Sequence, residues 1–117
     1  MKVLKNEFIV PLYDVRVVMY MGGSMKDNVE YINKDYNISL DNDKCQAKSL
    51  RFSNDKETTF AMLFTEHENL PQMIAHESLH VSWYICEYLG IKLSTVNHEA
   101  QAYILEYIVS KANSFIV

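Results

Sequence analysis

Residues 76–80 carry the pattern H-E-x-x-H, the strongest chemical signal in this sequence. On a helix, His76 and His80 lie on the same face, about 6 Å or one turn apart, so both imidazoles can bind one metal ion. Zinc is the natural candidate for such ligands. Glu77 lies beside His76 and can take a proton from a metal-bound water without being a ligand itself. The pattern therefore predicts a zinc site with a general base next to it.

A catalytic zinc also needs a third protein ligand, because such sites hold three protein donors and keep one position open. Three candidates follow the motif in the chain: His98, Glu99 and Glu106. Glu99 and Glu106 are about 10 Å apart along a helix, so they cannot easily share one ion. His98 and Glu99 point about 100° apart. Spacing alone leaves the third ligand open among these residues.

The H-E-x-x-H segment and the later segment Glu99-Ala100-Gln101-Ala102-Tyr103 together resemble the gluzincin arrangement. In that arrangement the third ligand is a Glu on the helix after the H-E-x-x-H helix. The two segments are especially similar to the small ImmA/IrrE-like zinc peptidases and related phage-encoded proteins, over roughly residues 59–109. The resemblance implies that His76, His80 and Glu99 bind zinc and that Glu77 is the catalytic base. It also implies an intracellular protein of a phage or mobile element.

Composition is typical of one soluble domain spanning residues 1–117. The chain is 49% hydrophobic and 22% charged, with a net charge of -4 and no cluster of basic residues, so nucleic acid is not an expected partner. Its apolar runs are far shorter than the ~20 residues of a membrane-spanning helix, and no secretion signal is visible at the N-terminus. We therefore expect a cytoplasmic protein without a membrane span. Cys45 and Cys86 are expected to be free thiols.

Local patterns predict the order strand, helix, hairpin, helix, helix, which is an α+β fold with helices backing a small sheet. Ser24 is expected to cap the first helix, and Gly90 to end the helix that carries the motif. The apolar run from Phe60 to Phe64 predicts a strand covered on both faces. The predicted elements are a strand over Phe8–Met21, a helix over 25–36, a loop over 37–46, hairpin strands Lys48–Ser53 and Thr58–Thr65, a helix over Gln72–Leu89, and a last helix from after Thr95 to about Ala112.

The resemblance gives these elements roles in a minimal zincin-like domain: a small sheet, an active-site helix and a following C-terminal helix. In zincin folds the edge strand before the active-site helix pairs with extended substrate, and Thr58–Thr65 has that place in the sequence.

The aromatic and aliphatic stretch after the motif is expected to pack in the core. If some of it were exposed, it would point to a partner instead. This stretch consists of Trp83, Tyr84, Ile85, Tyr88 and Leu89.

The predicted function is a zinc-dependent metallopeptidase that hydrolyses a peptide bond of a protein or peptide substrate through Glu77-activated water. One alternative is a zinc-binding protein that acts by binding a host or phage protein, without catalysis. The other is a metal-free structural module in which His76 and His80 are merely packed.

Overall fold

A computed structural model describes residues 2–42, 44–54 and 56–116 of the protein. Over these residues the fold is α+β, with a four-stranded mixed sheet and three helices. The elements in chain order are β1 (Leu4–Val10), β2 (Val15–Gly22), α1 (Met25–Tyr36), β3 (Ala47–Ser53), β4 (Thr58–Thr65), α2 (Leu70–Leu89) and α3 (Glu99–Ser114). No helix within the described residues is both long and apolar enough to cross a membrane.

The N-terminal strand predicted over Phe8–Met21 is wrong in extent, because the chain forms a hairpin of β1 and β2 there. The turn is closed by the Asp14 amide, which donates to the Val10 carbonyl oxygen at 2.9 Å. Leu12 and Asp14 adopt left-handed backbone angles, with φ of 73° and 55°. Glycine and asparagine usually supply such angles, so a turn without either residue has no clear sequence signal.

The sheet has the order β1-β2-β4-β3, in which β2 and β4 are parallel and the other neighbours antiparallel. β4 is therefore an interior strand, and the expectation that Thr58–Thr65 offers an open edge to substrate is wrong. The predicted hairpin with β3 is confirmed, and so is the burial of Phe60 to Phe64 on both faces. β3 is the edge strand on that side of the sheet.

Two hydrophobic clusters cover the two faces of the sheet, because successive side chains of each strand point in opposite directions. α2 and α3 pack on one face, against residues that include Phe8, Val17, Met19, Phe60 and Met62. α1 packs on the other face, against Val18, Tyr20, Ala61 and Leu63. The helix that carries the H-E-x-x-H pattern is thereby packed on the sheet through Ile74, Val81, Ile85 and Cys86.

The predicted helix boundaries are confirmed where a local cap determines them. The Ser24 side chain accepts a hydrogen bond from the Asp27 amide at 3.2 Å, and α1 begins at the next residue. α2 ends at Leu89, and Gly90 follows with a φ of 73°. α3 begins at Glu99, a few residues later than expected, and its flanking residue His98 makes no side-chain capping bond. Cys45 and Cys86 are free thiols, as predicted.

Candidate metal centre

The two histidines of the motif lie together on the solvent side of α2. Their Nε2 atoms are 3.2 Å apart, and their rings meet edge to face with centroids 4.8 Å apart. Both residues are exposed, and the His76 side chain retains 59% of its accessible surface. The ring nitrogens that could bind a metal ion therefore face each other, with direct access to solvent.

The spacing of these two nitrogens fits a shared zinc ion. Zinc binds imidazole nitrogen at about 2.0–2.1 Å with tetrahedral angles, which places two such nitrogens about 3.3 Å apart. The observed 3.2 Å between the Nε2 atoms of His76 and His80 agrees with this value. This separation is also that of a hydrogen bond between the two rings, and it matches the nitrogen spacing of a zinc site with two imidazole ligands.

Glu77 lies beside the histidine pair but is largely buried. Its side chain keeps 9% of its accessible surface, and its Oε2 is 3.8 Å from His76 Nε2. This distance is longer than a hydrogen bond and leaves the carboxylate free to accept a proton from a water molecule near the pair. The Glu77 carboxylate therefore lies within reach of a water molecule at the histidine pair.

The sheet holds this turn of α2 through Ser78, which points opposite to the histidines. The Ser78 hydroxyl contacts Met62 Sδ of β4 at 3.7 Å and is fully buried. Further along α2, Glu87 Oε1 accepts a hydrogen bond from Arg51 Nη1 of β3 at 2.8 Å. These contacts fix the rotation of α2, and with it the direction in which His76 and His80 point.

Glu99, the third ligand implied by the resemblance, is exposed in the first turn of α3. α3 touches α2 where Gln101 Nε2 donates to Ser82 Oγ at 3.4 Å. Ser82 lies about 160° around α2 from His80, and Glu99 lies about 160° around α3 from Gln101. This helix contact therefore does not direct Glu99 toward the histidines.

Among the described residues, no three His, Cys, Asp or Glu side chains are grouped closely enough to hold a metal ion. The structure brings His76 and His80 together, and Glu77 lies 3.8 Å from His76 Nε2 without completing a group of three ligands. His98 and Glu106 are exposed on α3 or just before it, and neither forms such a group with the pair. The identity of the third ligand stays a prediction.

The expectation of core packing is wrong for Tyr88, which is 46% exposed, and for Trp83. Trp83 is 54% exposed, and Leu79, within the motif, is 44% exposed, whereas Ile85 is fully buried as expected. A signal for this was present in the sequence, since residues 76, 79, 80 and 83 are spaced as one face of a helix. That face contains both histidines, so the apolar pair belongs to the surface around the candidate metal position.

No protein-family model matches the chain. Searches of curated proteins and of solved structures likewise give no significant match.

Proposed function

We propose that this protein is a zinc-dependent peptidase whose centre is the His76–His80 pair of α2. The observation that carries the proposal is the 3.2 Å separation of the two Nε2 atoms, together with the Glu77 carboxylate 3.8 Å from one of them. In metal-assisted hydrolysis of this type, one helix supplies two nitrogen ligands for the metal and the adjacent base.

In this function His76 and His80 would hold zinc through Nε2, with each ring keeping its proton on Nδ1. Zinc, when bound, supplies a Lewis acid that polarises a carbonyl group and lowers the pKa of water to about 7. Glu77 accepts a proton from water at the pair and can return it to the amine that leaves after cleavage. Glu99 is the proposed third ligand, and reaching the pair requires the first turn of α3 to move.

A peptide substrate would lie along the open edge of β3. The Thr65 amide donates to the Gln46 carbonyl oxygen, so in this antiparallel pair the peptide groups of Ala47, Ser49 and Arg51 face away from β4. No strand among the described residues pairs with that side of β3. Ser49 of β3 pairs with Met62 of β4, and Met62 contacts Ser78 in the motif turn of α2. A peptide on the open edge at Ser49 would therefore pass the same turn of α2 that carries the histidines.

Metal analysis combined with activity tests this proposal. Protein purified without added metal is analysed by plasma mass spectrometry as wild type, His76→Ala and Glu99→Ala. The expected result is near one zinc per chain in the wild type, and loss of this one-per-chain ion in both variants. Wild-type protein should then cleave a peptide library, while Glu77→Gln retains zinc and loses cleavage. Absence of bound metal after zinc is offered would overturn the proposal.

A second function is favoured by one specific observation, the exposure of Leu79 and Trp83 beside the histidines. Exposed apolar side chains around a metal site fit a protein that binds zinc and docks on another protein without hydrolysing it. Full zinc occupancy, with no cleavage of any library peptide by the wild type, would establish this function in place of catalysis.

A further inference from the structure

One continuous stripe of exposed residues runs along α2 and contains both histidines. We call His76, Leu79, His80 and Trp83 the α2 stripe; their spacing places them on one helix face. Leu79 and Trp83 leave 44% and 54% of their surfaces in solvent, although both are large and apolar. A surface that combines two metal-binding nitrogens with two such side chains is suited to contact with another macromolecule.

We propose that zinc joins two copies of this chain through their α2 stripes. The inference rests on the zinc binding proposed above. His76 and His80 supply two nitrogens at tetrahedral spacing, and the described residues group no third ligand with them. A two-fold axis through the ion brings the same pair from a second copy, which completes four imidazole ligands without any further residue type.

The absence of exposed charge on the stripe allows a second copy of this acidic chain to approach it. The exposed residues of α2 from Pro71 to Trp83 include no Lys, Arg, Asp or Glu, because Glu77 is buried. The chain as a whole has a net charge of -4, so most ways of bringing two copies together bring like charges together. The uncharged α2 face avoids this repulsion, and the next carboxylate, Glu87, is already paired with Arg51.

The apolar residues would contribute to the same interface. Leu79 lies close to the midpoint of the two histidines along α2, and Trp83 lies about 7.5 Å along the axis from that midpoint. A tetrahedral ion would hold the two histidine pairs in nearly perpendicular planes, so the two helices would cross at a large angle. Leu79 of each copy would then face the other helix next to the ion, with Trp83 beside the crossing.

Such a dimer would regulate the proposed activity. A zinc ion with four imidazole ligands has no open position for water or substrate, so the bridged form is inactive. Excess zinc provides each chain with its own ion and separates the copies. The ratio of zinc to protein therefore decides between a closed dimer and an open monomer.

The test measures molar mass by light scattering after size-exclusion chromatography, with zinc added in steps to metal-free protein. We expect 13.6 kDa without zinc, a mass near twice that value at one zinc per two chains, and return toward the monomer at large zinc excess. Trp83→Ala and Leu79→Ala should raise the dimer dissociation constant at least tenfold and still bind zinc. His76→Gln should neither bind zinc nor dimerise. Val96→Ala, which changes an exposed apolar residue elsewhere, should behave as wild type.

The outcomes separate this inference from the function on which it rests. Zinc bound at one per chain with a monomer mass at every ratio would overturn the zinc-bridged dimer and leave the zinc site intact. A dimer that forms equally well without zinc would also overturn it. If no zinc binds at any ratio, the inference and the proposed peptidase both fail.

Discussion

Zinc binding at the histidine pair should raise the melting temperature of the protein by a predictable amount. The pair needs little rearrangement, because the Nε2 atoms of His76 and His80 are already 3.2 Å apart. A ligand that binds only the folded state stabilises it by about 2.7 kcal/mol at a free concentration one hundred times its dissociation constant. The measurement is made at zinc excess, where each chain holds its own ion.

The expected shift follows from the size of the chain. Unfolding entropy is about 2.1 cal/mol/K per residue, which for 117 residues gives about 0.25 kcal/mol/K. A stabilisation of about 2.7 kcal/mol then corresponds to a rise of about 11 °C in melting temperature. His80→Gln removes one of the two imidazoles. If this weakens zinc binding about a hundredfold, the stabilisation falls to about 0.4 kcal/mol and the shift to about 2 °C.

Differential scanning calorimetry with and without a zinc chelator measures this shift. The dissociation constant is first determined by competition with a zinc dye, so that free zinc can be set to the required excess. Cys45→Ser is the control, since it removes a partly exposed thiol that could bind zinc outside the proposed site. This variant should show the full shift. An equal shift in wild type and His80→Gln would refute the assignment of zinc to the histidine pair.

Two further predictions concern the stability of the fold. Burial, reinforced by a 2.7 Å hydrogen bond from the Tyr20 hydroxyl to Asp35, raises the pKa of Tyr20 above its ordinary value of about 10. A raised pKa stabilises the folded state fully below about pH 10 and less as the pH rises further. The free energy of unfolding, measured with urea between pH 8 and 11, should therefore fall more steeply with pH in the wild type than in Tyr20→Phe. Equal slopes would contradict this. Gly22→Ala should cost about 1–3 kcal/mol, because the new Cβ would lie 2.8 Å from Oδ1 of the fully buried Asn28. Gly90→Ala has open space and a φ of 73°, so urea unfolding should show a loss of only about 1 kcal/mol from backbone strain, and a larger loss than in Gly22→Ala would contradict the steric argument.

Features with local causes could be predicted from the sequence. The cap at Ser24, the end of α2 at Gly90 and the hairpin of β3 and β4 each depend on residues close together in the chain, and all three are present. The approach of His76 to His80 is local in the same sense, because helical geometry brings residues four apart onto one face.

Features that depend on distant parts of the chain could not be predicted. A strand preceding the motif helix can be an edge or an interior strand, and only the pairing of β4 with β2 decided between these positions. The spacing of Trp83 with the histidines is visible in the sequence, but only the packing of α2 on the sheet decided that this helix face is the exposed one. The turn between β1 and β2 uses left-handed Leu12 and Asp14, which are exposed and belong to residue types that do not signal such angles as glycine does.

The sequence by itself thus determined a helix with two histidines and a glutamate in the spacing of a zinc site, because that spacing needs only the helical repeat. Tertiary structure decided what surrounds the site. α3 lies on the side of α2 where Gln101 contacts Ser82, and this placement decides where Glu99 points. That contact joins residues 19 positions apart. The placement of α3 depends on packing energy summed over both helices, and no short sequence pattern encodes that sum.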